Sequence, residues 1–226
     1  MVIERALQEG RTILSEHESK DLLNRFQIPV TREIEVHDQQ SFIEAVREIG
    51  YPLVIKGSSP LVTHKTEHGL VKVDVRNENE ALGAFREIMD GMANEEHPAV
   101  LVQEMVKGSR ELMIGMTRDA QFGPCVMFGL GGVFTEILKD VTFRVAPITK
   151  RDALEMMRDI KAHRILEPIR GLPAADLDEL SEILIRVGEI GLEHEAIKEI
   201  DINPLILSGS KPVAVDALVV LHTDNG

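Results

Sequence analysis

Residues 199–207 read EIDINPLIL and residues 212–221 read PVAVDALVVL, with a short Ser-Gly-Ser turn between them. This pair limits the fold more than any other stretch of the chain. Side chains on a strand alternate between its two faces. Ile200 and Ile202 therefore take one face, while Glu199, Asp201 and Asn203 take the other. Such a strand belongs in a sheet with one face packed and one face open, and the turn supplies an antiparallel neighbour. That neighbour carries Asp216, which in a hairpin can lie opposite Asn203. Two readings fit these oxygens. Asp and Asn on rigid strands suit Mg²⁺, which takes a few protein oxygens plus phosphate and water. Equally, they can form a polar sheet face, with Asn203 turning the chain into Pro204.

Upstream, helical and strand periods alternate. Ser15-Glu16-His17-Glu18 has the form of a capping box and opens a helix with Leu22, Leu23 and Phe26 on its inner face. TREIEV reads as a strand, and Asp38 caps a helix carrying Phe42, Ala45, Val46 and Ile49 that Gly50 ends. YPLVIK and LVKVDV read as strands, and a helix follows from about Glu78 to Met92. AVLVQEMV, ELMIGMT, GPCVMFGL and a stretch around 142–146 read as further strands. Helices are expected from Thr149 and over 175–191. The class is mixed α/β, with one lobe over residues 1–100, a second over 101–226, and a hinge at Gln103 to Val106.

The formal charge of −13 argues against a nucleic-acid partner, because phosphate backbones select basic surfaces. An anionic ligand would need a local arrangement that overcomes the protein's own field. The single cysteine, Cys125, excludes an internal disulfide and a multi-cysteine metal site. With no signal-type apolar core in MVIERALQEG and no bilayer-length apolar run, a cytoplasmic location without membrane attachment is expected.

Several residues carry possible chemistry. Lys56 ends a buried strand in VIKGSSP, where it can reach a phosphate or snorkel at a sheet edge. His64, in SPLVTHKTEHG, can accept a phosphoryl group when neutral, or sit exposed on a loop. FGLGGV places Gly131 and Gly132 where backbone amides can meet an anion, with Arg144 as the nearby cation. Gln103, Glu104, Met105 and Val106 can offer an edge for an adenine ring, and Glu111 a reach to a ribose or to the metal region, or the stretch is simply a strand pair with a charged turn.

Taken in order, LSEHESKDLLNRFQIPV, YPLVIKGSSPLVTHKTEHG, LVQEMVKGSRELMIG, FGLGGVFTEILKDVTFR, EIDINPLIL and VAVDALVVL span nearly the whole chain. In this order they resemble an ATP-grasp domain. The resemblance is to the β subunit of ADP-forming acyl-CoA (acetyl-CoA) synthetases, with DINPL also similar to succinyl-CoA synthetase β chains. It implies a two-lobed clamp for ATP or ADP. Lys56 would touch the α/β phosphates, Gln103 to Val106 the adenine, Glu111 the ribose side, and Gly131 and Gly132 the anion. Asn203 and Asp216 would hold Mg²⁺ with Asp201 beside them, and His64 and Arg144 would act in phosphoryl transfer.

The resemblance further implies a CoA-binding α subunit in an α2β2 assembly, whose phosphohistidine exchanges its phosphoryl group with ADP. At 226 residues a CoA-binding domain is expected on that partner chain. A nucleotide-binding regulatory subunit and another ATP-grasp ligase, such as a carboxylate–amine ligase, are the alternatives. One departure stands out: Glu67, His68, Gly69 and Leu70 follow the His-Lys pair, where the family shows an Asp and paired glycines. His68 is a rival imidazole.

Overall fold

The computed structural model describes residues 2–59, 69–95, 98–132 and 140–222. His64, His68 and the 133–139 stretch lie outside the described residues. Two contact units divide the chain, Ser15–His17 with Thr31–Met105, and Met1–Leu14 with Glu18–Val30 and Val106–Gly226. The sequence reading expected a single boundary near residue 100. The chain passes from the smaller to the larger unit at 105/106, within the segment Gln103 to Val106 read as a hinge, because pairing of its last strand in the smaller unit continues to Glu104. The N-terminal helices count largely with the larger unit, since Ile3, Ala6, Leu22 and Leu23 belong to its core.

The smaller unit is a four-stranded antiparallel sheet: β1 (Glu33–Val36), β2 (Leu53–Ser58), β3 (Val71–Val75) and β4 (Ala99–Glu104), in the order β1-β4-β2-β3. Helices α3 (Gln39–Ile49) and α4 (Glu78–Gly91) pack on one face. Asp38 caps the first through the amides of Gln40 and Ser41, and Asn77 caps the second through Glu80. Gly50, at φ +79°, ends α3 in the left-handed region where glycine is favoured. Leu53 and Ile55 meet Val100, Val102 and the tilted pair Phe42–Phe85, ring centroids 4.6 Å apart. Truncating a fully buried side chain such as Ile55 to alanine would cost ~2–5 kcal/mol.

The larger unit is a six-stranded antiparallel sheet. Its strands are β5 (Glu111–Asp119), β6 (Gly123–Leu130), β7 (Val141–Val145), β8 (Ile197–Ser208), β9 (Lys211–Ala214) and β10 (Ala217–Leu221). The order is β10-β8-β5-β6-β7, and β9 pairs with the far half of β8. Helices α5 (Lys150–Asp159) and α6 (Leu177–Glu193) share the core with Ile114, Val126, Phe128, Ile200, Ile202 and Val219. Thr149 and Asp152 form a capping box at α5, and Asp176 caps α6. From the N-terminus, α1 (Val2–Gln8) joins the same core, as does α2 (Glu16–Arg25) through Leu22 and Leu23. Glu18 of α2 accepts from Arg5 and Arg11. Where the sequence suggested one strand after the turn, the structure has two, with the break at Val215–Asp216.

Candidate functional site

That break lies at the centre of the larger unit's site. Leu205 pairs with Ala214 on one side and Ile202 with Ala217 on the other, in one continuous frame. This frame puts Asn203 level with Asp216 and Pro204 level with Val215, whose amide donates to the Pro204 carbonyl at 3.0 Å. Across β8, the register with β5 steps between Leu112 and Ile114, beside the same Asn203–Pro204 segment. Proline has no amide to give the ladder, so a step there costs no hydrogen bond that could have formed.

The core takes Leu112, Ile114 and Met116 from β5 and Ile200 and Ile202 from β8. By alternation, Glu111, Met113, Gly115 and Thr117 share the opposite, open face with Glu199, Asp201 and Asn203. Gly115 pairs with Asp201. A Cβ at Gly115 would stand 3.0 Å from the Ile200 carbonyl and 3.1 Å from Met127 Cε, so the missing side chain keeps the ground beside Asp201 open. A pocket of about 260 Å³ lies on this face, lined by Met113, Thr117, Met127, Phe143, Glu199 and Asp201 among others.

Asp201 is the chemically unusual group. Its Oδ1 is buried and has no hydrogen-bond partner among the described residues. Burial first, then the charges of Glu199 and Asp216, push its carboxyl up to about 6 from the ordinary 3.8. A buried carboxylate crowded by two others asks for a cation. Among the described residues no three His, Cys, Asp or Glu side chains form an all-protein cage. Asn203, Asp216 and Asp201 are a partial set of hard oxygen donors, which fits an ion that keeps waters and phosphate in its shell.

Both glycines of the expected amide cradle pack closely against β5. Gly131 N–H donates to the Glu111 carbonyl at 2.9 Å, so that amide is engaged. A Cβ at Gly131 would lie 2.6 Å from the Leu112 carbonyl oxygen. Gly132 has φ +64°, and a Cβ there would overlap the Glu111 carboxylate. Both glycines let the chain pass closely over Glu111.

Arg144 is not brought to the open face. On β7 the odd residues Phe143 and Val145 are half exposed, whereas Thr142 and Arg144 turn to α5. Arg144 Nη2 pairs with Asp159 at 2.7 Å, and Nη1 donates to the Phe143 carbonyl at 2.9 Å. The apolar residues of VTFRV look core-facing in sequence, but here the apolar side is the open side. Asp140 is also structural: its carboxylate accepts from the amides of Lys161 and Ala162.

In the smaller unit, Lys56 and Gln103 lie on the sheet face away from the helices. Val54 pairs with Gln103 and Lys56 with Leu101, while Leu53 and Ile55 enter the core. Both Lys56 and Gln103 are buried. Lys56 Nζ donates to Glu16 Oε1 at 2.6 Å, a partner that sequence reasoning missed because it lies forty positions upstream. Glu104 accepts from the Arg32 amide at 2.8 Å and from Arg32 Nε at 3.1 Å. Met105 N–H donates to the Pro52 carbonyl at 3.3 Å, and Val106 begins the larger unit. The segment 103–106 is thus held by β1 and the β2 approach up to Met105.

Two units built on antiparallel sheets are present, with a buried strand lysine in one and, in the other, Asn203 of β8 level with Asp216 in the β9–β10 break. The family description "ATP-grasp domain" matches residues 5–221, and the chain belongs to the ATP-grasp family. Within it, the chain is 46% identical over 224 residues to the acetate–CoA ligase (ADP-forming) I subunit beta of Pyrococcus furiosus, covering 97% of this chain and 96% of that one. The dinucleotide-forming acetyl-coenzyme A synthetase 1 of Ca. Korarchaeum cryptofilum, solved with coenzyme A, Ca-AMPCP and HgCl+, matches at TM-score 0.93 and 42% identity. That match covers 98% of each chain. The same enzyme with coenzyme A and Mg-AMPPCP, its phosphohistidine segment pointing towards the nucleotide-binding site, matches at TM-score 0.86, 42% identity and 98% of each chain. Among the described residues no helix is long and apolar enough to cross a membrane.

Proposed function

We propose that the chain is the nucleotide-handling β subunit of an ADP-forming acetate–CoA ligase. The net reaction is acyl-CoA + ADP + phosphate ⇌ acid + CoA + ATP. The observation that carries the reading is the buried Asp201 Oδ1, without a partner among the described residues and beside Asn203 and Asp216, in a chain similar along its length to such subunits. Phosphoryl transfer needs little covalent chemistry from the protein and relies on positioning and charge neutralisation.

Each residue has a part in this reading. Asn203, Asp216 and Asp201 hold Mg²⁺, which when bound neutralises phosphate charge that an acidic chain would otherwise repel. Lys56 contacts the phosphates with its ammonium. Gln103 to Val106 present backbone polar groups and apolar side chains to the adenine, and Glu111 takes the ribose side. Gly131 and Gly132 serve by leaving room for Glu111. His64 is the imidazole offered for phosphoryl relay. The donor on the other side is a phosphohistidine of a CoA-binding α subunit in an α2β2 assembly. There an N–P bond breaks as the ADP β-phosphate oxygen forms the new O–P bond. A cytoplasmic setting suits such an enzyme.

The test is co-expression with the CoA-binding subunit, followed by an assay for ATP made from acetyl-CoA, ADP and phosphate. The reading requires ATP formation from the assembled pair and none from either chain alone. A stable complex that binds ADP but makes no acyl-CoA-dependent ATP would assign the chain a regulatory role instead.

A further inference from the structure

The Lys56–Glu16 pair has a feature that a general surface ion pair lacks. Both side chains are nearly sealed, at 7% and 2% exposure, and the heavy atoms stand 2.6 Å apart. Lys56 sits on a strand whose six residues are all buried, and Glu16 is the first residue of α2. Two glutamates of β1 share that sheet face. On β1, Glu33 takes His17 Nδ1 at 3.1 Å and Glu35 accepts from Ser58 at 2.6 Å. Gln103 of β4 is the neutral polar group on the same face. Glu16 Oε1 meets the ammonium directly.

We infer that Glu16 is a positioning residue, which holds the Lys56 ammonium correctly aimed on its buried strand for an incoming phosphate. The inference rests on the reading of Lys56 as a phosphate contact. The physical argument concerns charge and entropy together. A buried ammonium without a counter-charge is costly, and a four-carbon stem has many rotamers to lose. A carboxylate fixed at a helix start solves both problems before ligand arrives, so the nucleotide meets a preorganised donor. Protein kinases rely on the same physics when a strand lysine pairs with a helix glutamate. Forty residues separate the partners here, and a helix glutamate near a serine reads in sequence only as part of a cap.

The test is a double-mutant cycle on the full chain, with MgADP affinity read by titration calorimetry and folding checked by far-UV circular dichroism. Glu16→Gln keeps the shape and an acceptor oxygen but removes the charge. The expected result is MgADP binding roughly 10-fold weaker or worse in the Lys56 background. In a Lys56→Met background the same change should do nothing further to affinity, because there is no ammonium left to aim. Glu16→Asp should recover part of the loss. A Glu16→Gln effect of equal size with and without Lys56 would overturn the inference and make Glu16 merely structural. So would unchanged affinity in Glu16→Gln. If Lys56→Met itself leaves MgADP affinity unchanged, the assignment of Lys56 fails first, and the inference falls with it. Glu16→Gln/Lys56→Met, which removes both charges, guards against misfolding of the single variant.

Discussion

Replacing Asp201 with asparagine should make the nucleotide-free protein more stable at neutral pH while damaging its ligand binding. The carboxyl is pushed up to about 6 from 3.8, mainly by burial, then by Glu199 and Asp216. In the folded chain the proton is therefore held more tightly than in the unfolded chain. Below pH 3.8 both states are protonated, and Asp201 carries no penalty. Between 3.8 and about 6 the unfolded chain ionises first, and folding loses free energy as pH rises. Above that window the penalty is constant, at an upper limit of about 3 kcal/mol for a shift of roughly two pKa units. An asparagine side chain has the same shape without the charge, so Asp201→Asn should recover most of that amount at pH 8 and almost none at pH 4. The assay is urea unfolding followed by far-UV circular dichroism, since the chain has no Trp and one Tyr. Equal stability of the two proteins at pH 8 would refute the reasoning, as would a gap of the same size at pH 4.

Two further substitutions probe the surroundings. Gly131→Ala places a Cβ against the Leu112 carbonyl oxygen, a backbone atom that cannot swing away, and should cost ~1–3 kcal/mol in urea unfolding. Arg144→Ala should leave MgADP affinity unchanged within error. It should lower stability by only ~0.2–1 kcal/mol, because its partner Asp159 is half exposed.

Much of the site was legible because strand alternation is local. Ile200 and Ile202 against Asp201 and Asn203 set the faces of β8, and the turn at Gly209 brought Asp216 level with Asn203. The helix cap at Asp38 and the helix start at Thr149 were equally local. What could not be read depends on which face of an element is covered. On β7 Arg144 was read as the cation beside the glycines, yet it turns to α5. The break after Ala214 was hidden because PVAVDALVVL reads as one apolar run interrupted only by Asp216. Long-range partners were invisible for the same reason: Glu16 for Lys56, and the Ile165 and Gly209 carbonyls for the buried Arg110. The FGLGGV glycines were read as ligand-facing, whereas the Gly131 amide meets Glu111. Close packing and anion binding both demand glycine, and the letters are the same.

In the proposed function, oxygens of β8 and of the β9–β10 break would grip a divalent ion and so let an acidic chain bind ADP. Calorimetric titration of ADP, with Mg²⁺ and with chelator, into the native protein, Asn203→Ala and Asp216→Ala measures this most directly. The native protein should bind ADP only with Mg²⁺, and each variant should bind at least ~10²-fold more weakly with its circular dichroism spectrum unchanged. Native affinity in both variants, or ADP binding that ignores Mg²⁺, would contradict it.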